Sequence, residues 1–173
     1  FLHESDTWEN TILVFTTDHG DMMGDHGLIA KGMPHYDTGI RCPLIVAGGG
    51  VAPAVIDHLA CSLDLYPTFC DLAGIPEEVR PPTEGRSLAT VCLTGDSGGA
   101  TEASSACEAW SEIAVGVGEA DSVITADGWR LTRYSQRYYG QMFDLIRDPL
   151  EQHNLYRDPT YAGKRVELLE RLV

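Results

Sequence analysis

Residues 15–32 read "FTTDHGDMMGDHGLIAKG". Two Asp-His-Gly units stand seven residues apart, at Asp18 and Asp25, and Lys31 follows them. Directly before them, Thr11 to Thr17 read "TILVFTT", a β-branched and aromatic run with little alternation. Such a run predicts a strand covered on both faces, as in a parallel sheet. In open α/β sheets, ligand-binding groups collect at the C-terminal ends of strands. Asp18 and His19 sit at that end. They offer one hard oxygen and one borderline nitrogen donor, a pairing suited to a divalent metal. A second reading stands beside it: Asp and Gly form turns, and His19 is then a satisfied, partly buried histidine.

Asp25 and His26 repeat the pattern after Met22, Met23 and Gly24, so they read as loop residues near the same cleft, within reach of a substrate. The two methionines read as gap fillers beneath the loop. Lys31 is a cation in an otherwise acidic chain. It is either an ordinary exposed lysine or the group that neutralises an anion held at the metal. His35, Tyr36, Asp37 and Arg41 extend the polar loop, with His35 a further substrate-contact candidate and Arg41 an ion-pair partner for Asp37.

Outward from this stretch, a second strand is expected around Leu44 to Ala47, ending in glycines. "AGGGVAP" lacks the spacing of a phosphate-binding loop and reads as a turn. Leu59, Leu63, Tyr66, Cys70 and Ala73 recur at helical spacing. Asp57 is a candidate N-cap, Gly74 a candidate C-terminal stop, and Leu65 to Ala73 the firm part beyond Pro67. "GDSGGATEASSA", residues 95–106, is a low-complexity loop. Beyond it the runs are short and strand-like. Asp127-Gly128 marks a hairpin, and Val166, Leu169 and Leu172 mark one face of a closing helix. The fold class is therefore α/β, a parallel or mixed sheet with helices, followed by a small antiparallel sheet with a C-terminal helix. The division expected is 1–94, a variable loop over 95–108, and 109–173.

Composition narrows the partners. The 173 residues carry 12 basic and 26 acidic side chains, a net charge of -14, and are 43 % hydrophobic. A nucleic-acid backbone wants a basic footprint, and an anionic membrane surface wants the same, so neither is expected as a partner. No apolar run reaches the roughly 18 residues of a membrane span. The five cysteines are odd in number and show no CxxC pair, which predicts reduced thiols. The start, "FLHESDTWEN", has no initiator Met and no leader pattern, so the chain is expected to begin inside a longer protein or after processing.

"TILVFTTDHGDMMGDHGLIAKG", "RCPLIVAGGG", "SLDLYPTFCDLAGIP", "EGRSL", "ITADGWRLTRY" and "QMFDLIRDPLEQHNLYRDP" occur in this order. Together they resemble the sulfatase family of the alkaline-phosphatase-like superfamily: the second half of its catalytic domain and its C-terminal subdomain. The resemblance implies a sulfuric ester hydrolase. Asp18 and His19 match two metal ligands, and Lys31 matches the lysine that contacts the sulfate and the attacking group. Arg41, Asp64, Pro67 and Thr68 match architectural positions, and the acidic "DP…E…NL" turn matches a structural one. The implied cofactor is a divalent metal, usually calcium; histidine at position 19 is compatible with manganese, and magnesium stays open. The family's nucleophile, a cysteine or serine in C/S-x-P-x-R matured to formylglycine, has no counterpart here. Cys42 is followed at once by Pro43 and lacks the arginine. The nucleophile is therefore expected in a preceding half of the catalytic domain, which is also the expected partner, with a small-molecule or saccharide sulfate ester as substrate. Phosphonate monoester or phosphodiester hydrolysis on the same scaffold, and a non-catalytic fragment, are the alternatives.

Overall fold

The computed structural model describes residues 1–32, 34–96, 108–115, 118–135 and 137–172, with backbone alone for 108–115 and 118. The loop expected over 95–108 lies almost wholly outside the described residues, as does Cys107. Two compact units are formed: Phe1–Asp18 with Cys42–Ala106, and His19–Arg41 with Cys107–Val173. The grouping is not linear in sequence, because His19–Arg41 belongs with the C-terminal sheet.

In the first unit, β1 (Ile12–Thr16) pairs with β2 (Leu44–Gly48) antiparallel, with Phe15 opposite Ile45 and Leu13 opposite Ala47. The sequence leaves a parallel or mixed sheet open; the pairing described in this unit is antiparallel. Apolar runs without alternation report burial on both faces, not strand direction. One face of this ribbon is bare: Leu13, Phe15 and Ile45 are 48 %, 58 % and 55 % exposed. Gly48 ends β2 at φ 99°, where a Cβ would stand 2.2 Å from the Thr11 carbonyl oxygen. The Val51 amide donates to the Gly48 carbonyl, closing the turn expected for "AGGGVAP".

Helix α2 spans Leu65–Leu72 and follows a 3₁₀ turn at Ser62–Asp64. Asp57 is not its cap, because residues 51–61 are irregular. Asp64 takes that place, accepting the Cys61 amide on Oδ2 at 2.9 Å and the Arg86 amide on Oδ1 at 2.8 Å. Pro67 falls in the first turn, where its missing N–H costs no helical bond. Gly74 ends the helix at φ 64°, with the Ile75 amide on the Cys70 carbonyl and the Gly74 amide on the Asp71 carbonyl, a Schellman arrangement. The Thr68 hydroxyl donates to the Asp64 carbonyl and accepts the Leu88 amide, tying α2 to the start of α3 (Ala89–Thr94). The architectural reading of Asp64 and Thr68 thus has its hydrogen bonds. Cys42, Cys61, Cys70 and Cys92 are all free thiols.

The second unit is a four-stranded antiparallel meander, β3 (Glu108–Val115), β4 (Gly118–Thr125), β5 (Trp129–Tyr134) and β6 (Gly140–Asp144), in that order. Asp127-Gly128 makes the β4–β5 turn as expected: Gly128 has φ 82° and its amide donates to the Thr125 carbonyl. Register decides what each face carries. Val123, Leu131 and Met142 lie opposite one another and are fully buried, against Leu168 and Leu172 of the C-terminal helix segment, α4 being Ala162–Glu170. Val166, expected on that buried face, is 52 % exposed; Leu168 holds the position instead. The alternate rows, Ser122–Thr132–Gln141 and Ile124–Arg130–Phe143, point to the other face. That face receives the loop His19–Arg41.

Candidate functional site

The loop His19–Arg41 is held shut by its own ends. The Gly20 amide donates to the Gly39 carbonyl at 2.9 Å. A Cβ on Gly20 would stand 1.9 Å from the Thr38 carbonyl oxygen, so only glycine lets the two stems close. The second Asp-His-Gly unit is a 3₁₀ turn, Asp25–Gly27, with His26 in the left-handed region at φ 49°. Asp25 accepts the Thr38 hydroxyl at 3.1 Å and the His26 amide at 3.0 Å. Met22 is buried and fills the loop's interior, whereas Met23 is 86 % exposed, so only one of the two methionines is a filler.

Within this loop the structure brings two expected site residues together. Lys31 Nζ stands 2.7 Å from His19 Nε2, across 12 positions of chain. His19 Nδ1 is 2.7 Å from the Gly20 carbonyl oxygen. A carbonyl only accepts, so Nδ1 carries the proton and Nε2 presents its lone pair to the ammonium. That tautomer makes Nε2 the donor atom of His19, whether toward a cation or toward Lys31. Asp18 closes the first unit just past β1, with Oδ1 accepting the Thr17 hydroxyl at 3.3 Å. Asp18 and His19 are joined by adjacency in the chain. A carboxylate and an imidazole Nε2 are a suitable donor pair for a divalent metal. Among the described residues no group of three His, Cys, Asp or Glu could hold a metal ion.

The other two substrate-contact candidates lie elsewhere. His26 stacks on Tyr36, with ring centroids 3.7 Å apart and planes 10° apart, and its Nε2 is buried without a hydrogen-bond partner among the described residues. His35 has no exposed surface, and its Nδ1 lies 2.7 Å from the Ser122 hydroxyl, which lies 2.7 Å from that of Thr132. Burial, then the Arg130 charge, pushes the His35 pKa down to about 4, so the ring is neutral at pH 7. A ring so enclosed meets no substrate in this arrangement; it pins the loop to β4 and β5. Arg41 forms the expected ion pair with Asp37, at 3.4 Å and exposed.

Sequence reading missed Arg130 beneath the loop; its partner Glu151 is the acidic residue of the "DP…E…NL" turn. Arg130 is wholly buried and meets Glu151 at 2.5 Å, Nη1 to Oε1, with Glu151 itself buried. The guanidinium lies 5.0 Å from the Phe143 ring centroid and 5.8 Å from that of Tyr36. Glu151 Oε2 accepts the Asp37 amide at 2.8 Å. Burial pushes the Glu151 carboxyl up and the Arg130 guanidinium down from their ordinary values, and the attraction between them opposes both shifts. Arginine at position 130 in an otherwise strand-like run was the one available signal.

Comparison with known proteins accords with this frame. The family model Sulfatase matches residues 2–75. A choline-sulfatase of Rhizobium meliloti is 38 % identical over 153 residues, covering 87 % of this chain and 28 % of that protein. The chain belongs to the sulfatase family. The solved structure of a 2-O GAG sulfatase superposes with a TM-score of 0.83 at 32 % identity, over 95 % of this chain and 35 % of that one. A phosphonate monoester hydrolase of Agrobacterium radiobacter shares the fold, with a TM-score of 0.83 at 23 % identity over 99 % of this chain and 36 % of its own. This sulfatase-family chain thus spans about a third of the length of the relatives it matches. The matched segments include Asp18, His19 and Lys31 in the family model's range and extend through the C-terminal sheet.

Proposed function

We propose that the protein containing this chain hydrolyses a sulfate ester, with Asp18 and His19 as metal ligands and Lys31 as a cationic contact to the transferring group. The supporting observation is the 2.7 Å approach of Lys31 Nζ to His19 Nε2 in a sulfatase-family chain. In this arrangement the ammonium holds the Nε2 lone pair that would face a metal, so a bound cation would take that lone pair and turn Lys31 Nζ toward the transferring group. Asp18 would give that metal a carboxylate oxygen and His19 its Nε2, while the Gly20 carbonyl holds the ring through Nδ1. A divalent cation held there, calcium by family habit and manganese by the histidine donor, would draw charge off the sulfuryl oxygens and lower the pKa of an attacking group. Lys31 would supply a fixed positive charge where negative charge builds on the departing ester. It is exposed on its loop, so it would reach a substrate without unfolding anything. The nucleophile, a formylglycine by family habit, would come from outside this chain. The names of two relatives, a choline-sulfatase and a 2-O GAG sulfatase, support a small-molecule or saccharide sulfate as the substrate.

The test is the full-length enzyme assayed on an aryl sulfate and on an aryl phosphonate monoester, before and after treatment with a chelator. Sulfate turnover lost on chelation and restored by calcium or manganese supports the reading. Phosphonate turnover exceeding sulfate turnover moves the assignment to the phosphonate branch of the same fold. No turnover of either points to a non-catalytic chain.

A further inference from the structure

The charges buried under the loop have no part in the chemistry above, yet a continuous set of contacts links them to it. Arg130 pairs with Glu151. Glu151 Oε2 accepts the Asp37 amide at the start of α1, Asp37–Ile40. The Gly39 carbonyl in α1 accepts the Gly20 amide. The Gly20 carbonyl holds His19 Nδ1, and His19 Nε2 meets Lys31 Nζ. All of these groups belong to the second unit. We propose that Arg130 and Glu151 are positioning residues for Lys31, fixing the loop's far stem and, through Gly20 and His19, the site of its ammonium.

A purely structural ion pair at this place is the simpler alternative, and physical chemistry argues for more. A buried pair of charges is poor value for stability, because desolvating both ions offsets their attraction. Glu151 also stands in the left-handed region, at φ 54°, where a glutamate is strained. What the arrangement achieves is direction: Oε1 faces Arg130 at ion-pair distance without hydrogen-bond geometry, and Oε2 makes the directed bond, to one amide 114 positions away in the chain. An apolar pair of similar volume would fill the space and aim nothing. The proposal rests on the reading of Lys31 given above, and it adds residues more than 90 positions away from it in sequence.

Two variants of the full-length enzyme remove the anchor without leaving an unpaired buried charge. Asp37→Pro deletes the amide donor. Position 37 is the first residue of α1, where proline is well tolerated, and Tyr36 before it is extended at φ -77°, ψ 156°, as a residue preceding proline prefers. The paired Arg130→Met/Glu151→Leu substitution replaces both ions by apolar groups, a change that buried pairs often tolerate without loss of stability. In each variant, with the melting temperature close to that of the parent, kcat per metal-loaded molecule is expected to fall about tenfold or more, as for a misplaced reacting group, with KM within about threefold. In a Lys31→Ala background the same substitutions are expected to lower kcat by less than about twofold, because the group they position is gone. A structural role would move the melting temperature and leave kcat per folded molecule alone. The proposal is overturned by unchanged kcat in a folded Asp37→Pro enzyme, or by an equal fall in both backgrounds. A Lys31→Ala enzyme as fast as the parent would overturn the Lys31 reading itself, and the positioning role with it.

Discussion

Glu151 accepts the backbone amide of Asp37 at 2.8 Å while its other oxygen meets Arg130 at 2.5 Å. One carboxylate thus serves a main chain and a cation, both removed from water. Glu151→Ala leaves Arg130 buried and uncompensated, a loss of about 3–5 kcal/mol. Urea unfolding of the full-length protein measures it; a loss below about 1 kcal/mol would show that water replaces the carboxylate at no real cost.

His35 makes stability depend on pH in a stated direction. Its folded-state pKa is about 4, below the ordinary value of 6.5, so the fold prefers the neutral ring. The stability it contributes is fully present above pH 6.5 and is lost as pH falls toward 4. The full loss over that window is about 3 kcal/mol. Thermal unfolding of the parent and of His35→Leu between pH 7 and pH 4.5 separates this group from the rest. The parent should lose stability faster, and parallel curves would remove His35 as the cause.

Lys31→Ala should spare the fold and damage the reaction. The side chain is exposed, so its removal should change stability by no more than about 0.5 kcal/mol. Losing a charged contact made in the transition state should slow turnover roughly 100-fold or more. Steady-state kinetics on the full-length variant decide; a rate within about threefold of the parent contradicts the role.

Asp18→Ala should cut both bound metal and activity, since Asp18 would be one of two ligands this chain supplies. Elemental analysis of the purified full-length variant gives the answer independently of turnover. An unchanged metal-to-protein ratio would strike Asp18 from the ligand set.

Expressed alone, the 173-residue chain should self-associate and turn over no aryl sulfate. Leu13, Phe15 and Ile45 leave one face of the β1–β2 ribbon open to water. A two-stranded ribbon with bare edges and an apolar face invites pairing with another copy. Size-exclusion chromatography with light scattering tests the association. A monodisperse, active monomer would contradict both parts.

Local signals in the sequence were legible where a single residue type fixes the backbone. Gly74 stopped α2, Asp127-Gly128 turned the hairpin, and Pro67 marked the first helical turn, because each answers to φ or to a missing amide. Val166 and Asp57 misled. An amphipathic stripe one position out of phase, or an Asp before an irregular stretch, looks the same in sequence until packing decides. The antiparallel pairing of β1 with β2 was not legible, since strand direction leaves no trace in a run of apolar residues. Nor was the place of His35: a histidine in a polar loop gives no hint that Ser122, 87 positions on, takes its Nδ1. Contacts of that span are written in the register of the sheet, in which Ser122 and Thr132 are paired and face the loop.

The nonlinear make-up of the second unit bears on recombination. His19–Arg41 is inserted between β1 and β2, yet its anchors, Ser122, Arg130 and Glu151, all come after residues 95–108 in the chain. A chimera of two relatives joined within 95–108 would look conservative, because the crossover falls in a low-complexity stretch. It would nonetheless pair the 19–41 loop of one parent with the sheet of the other. Exchanges that carry residues 19–41 and 107–173 from the same parent keep the buried charges matched to their amide. Recombining this chain with that of a relative is therefore a two-segment operation.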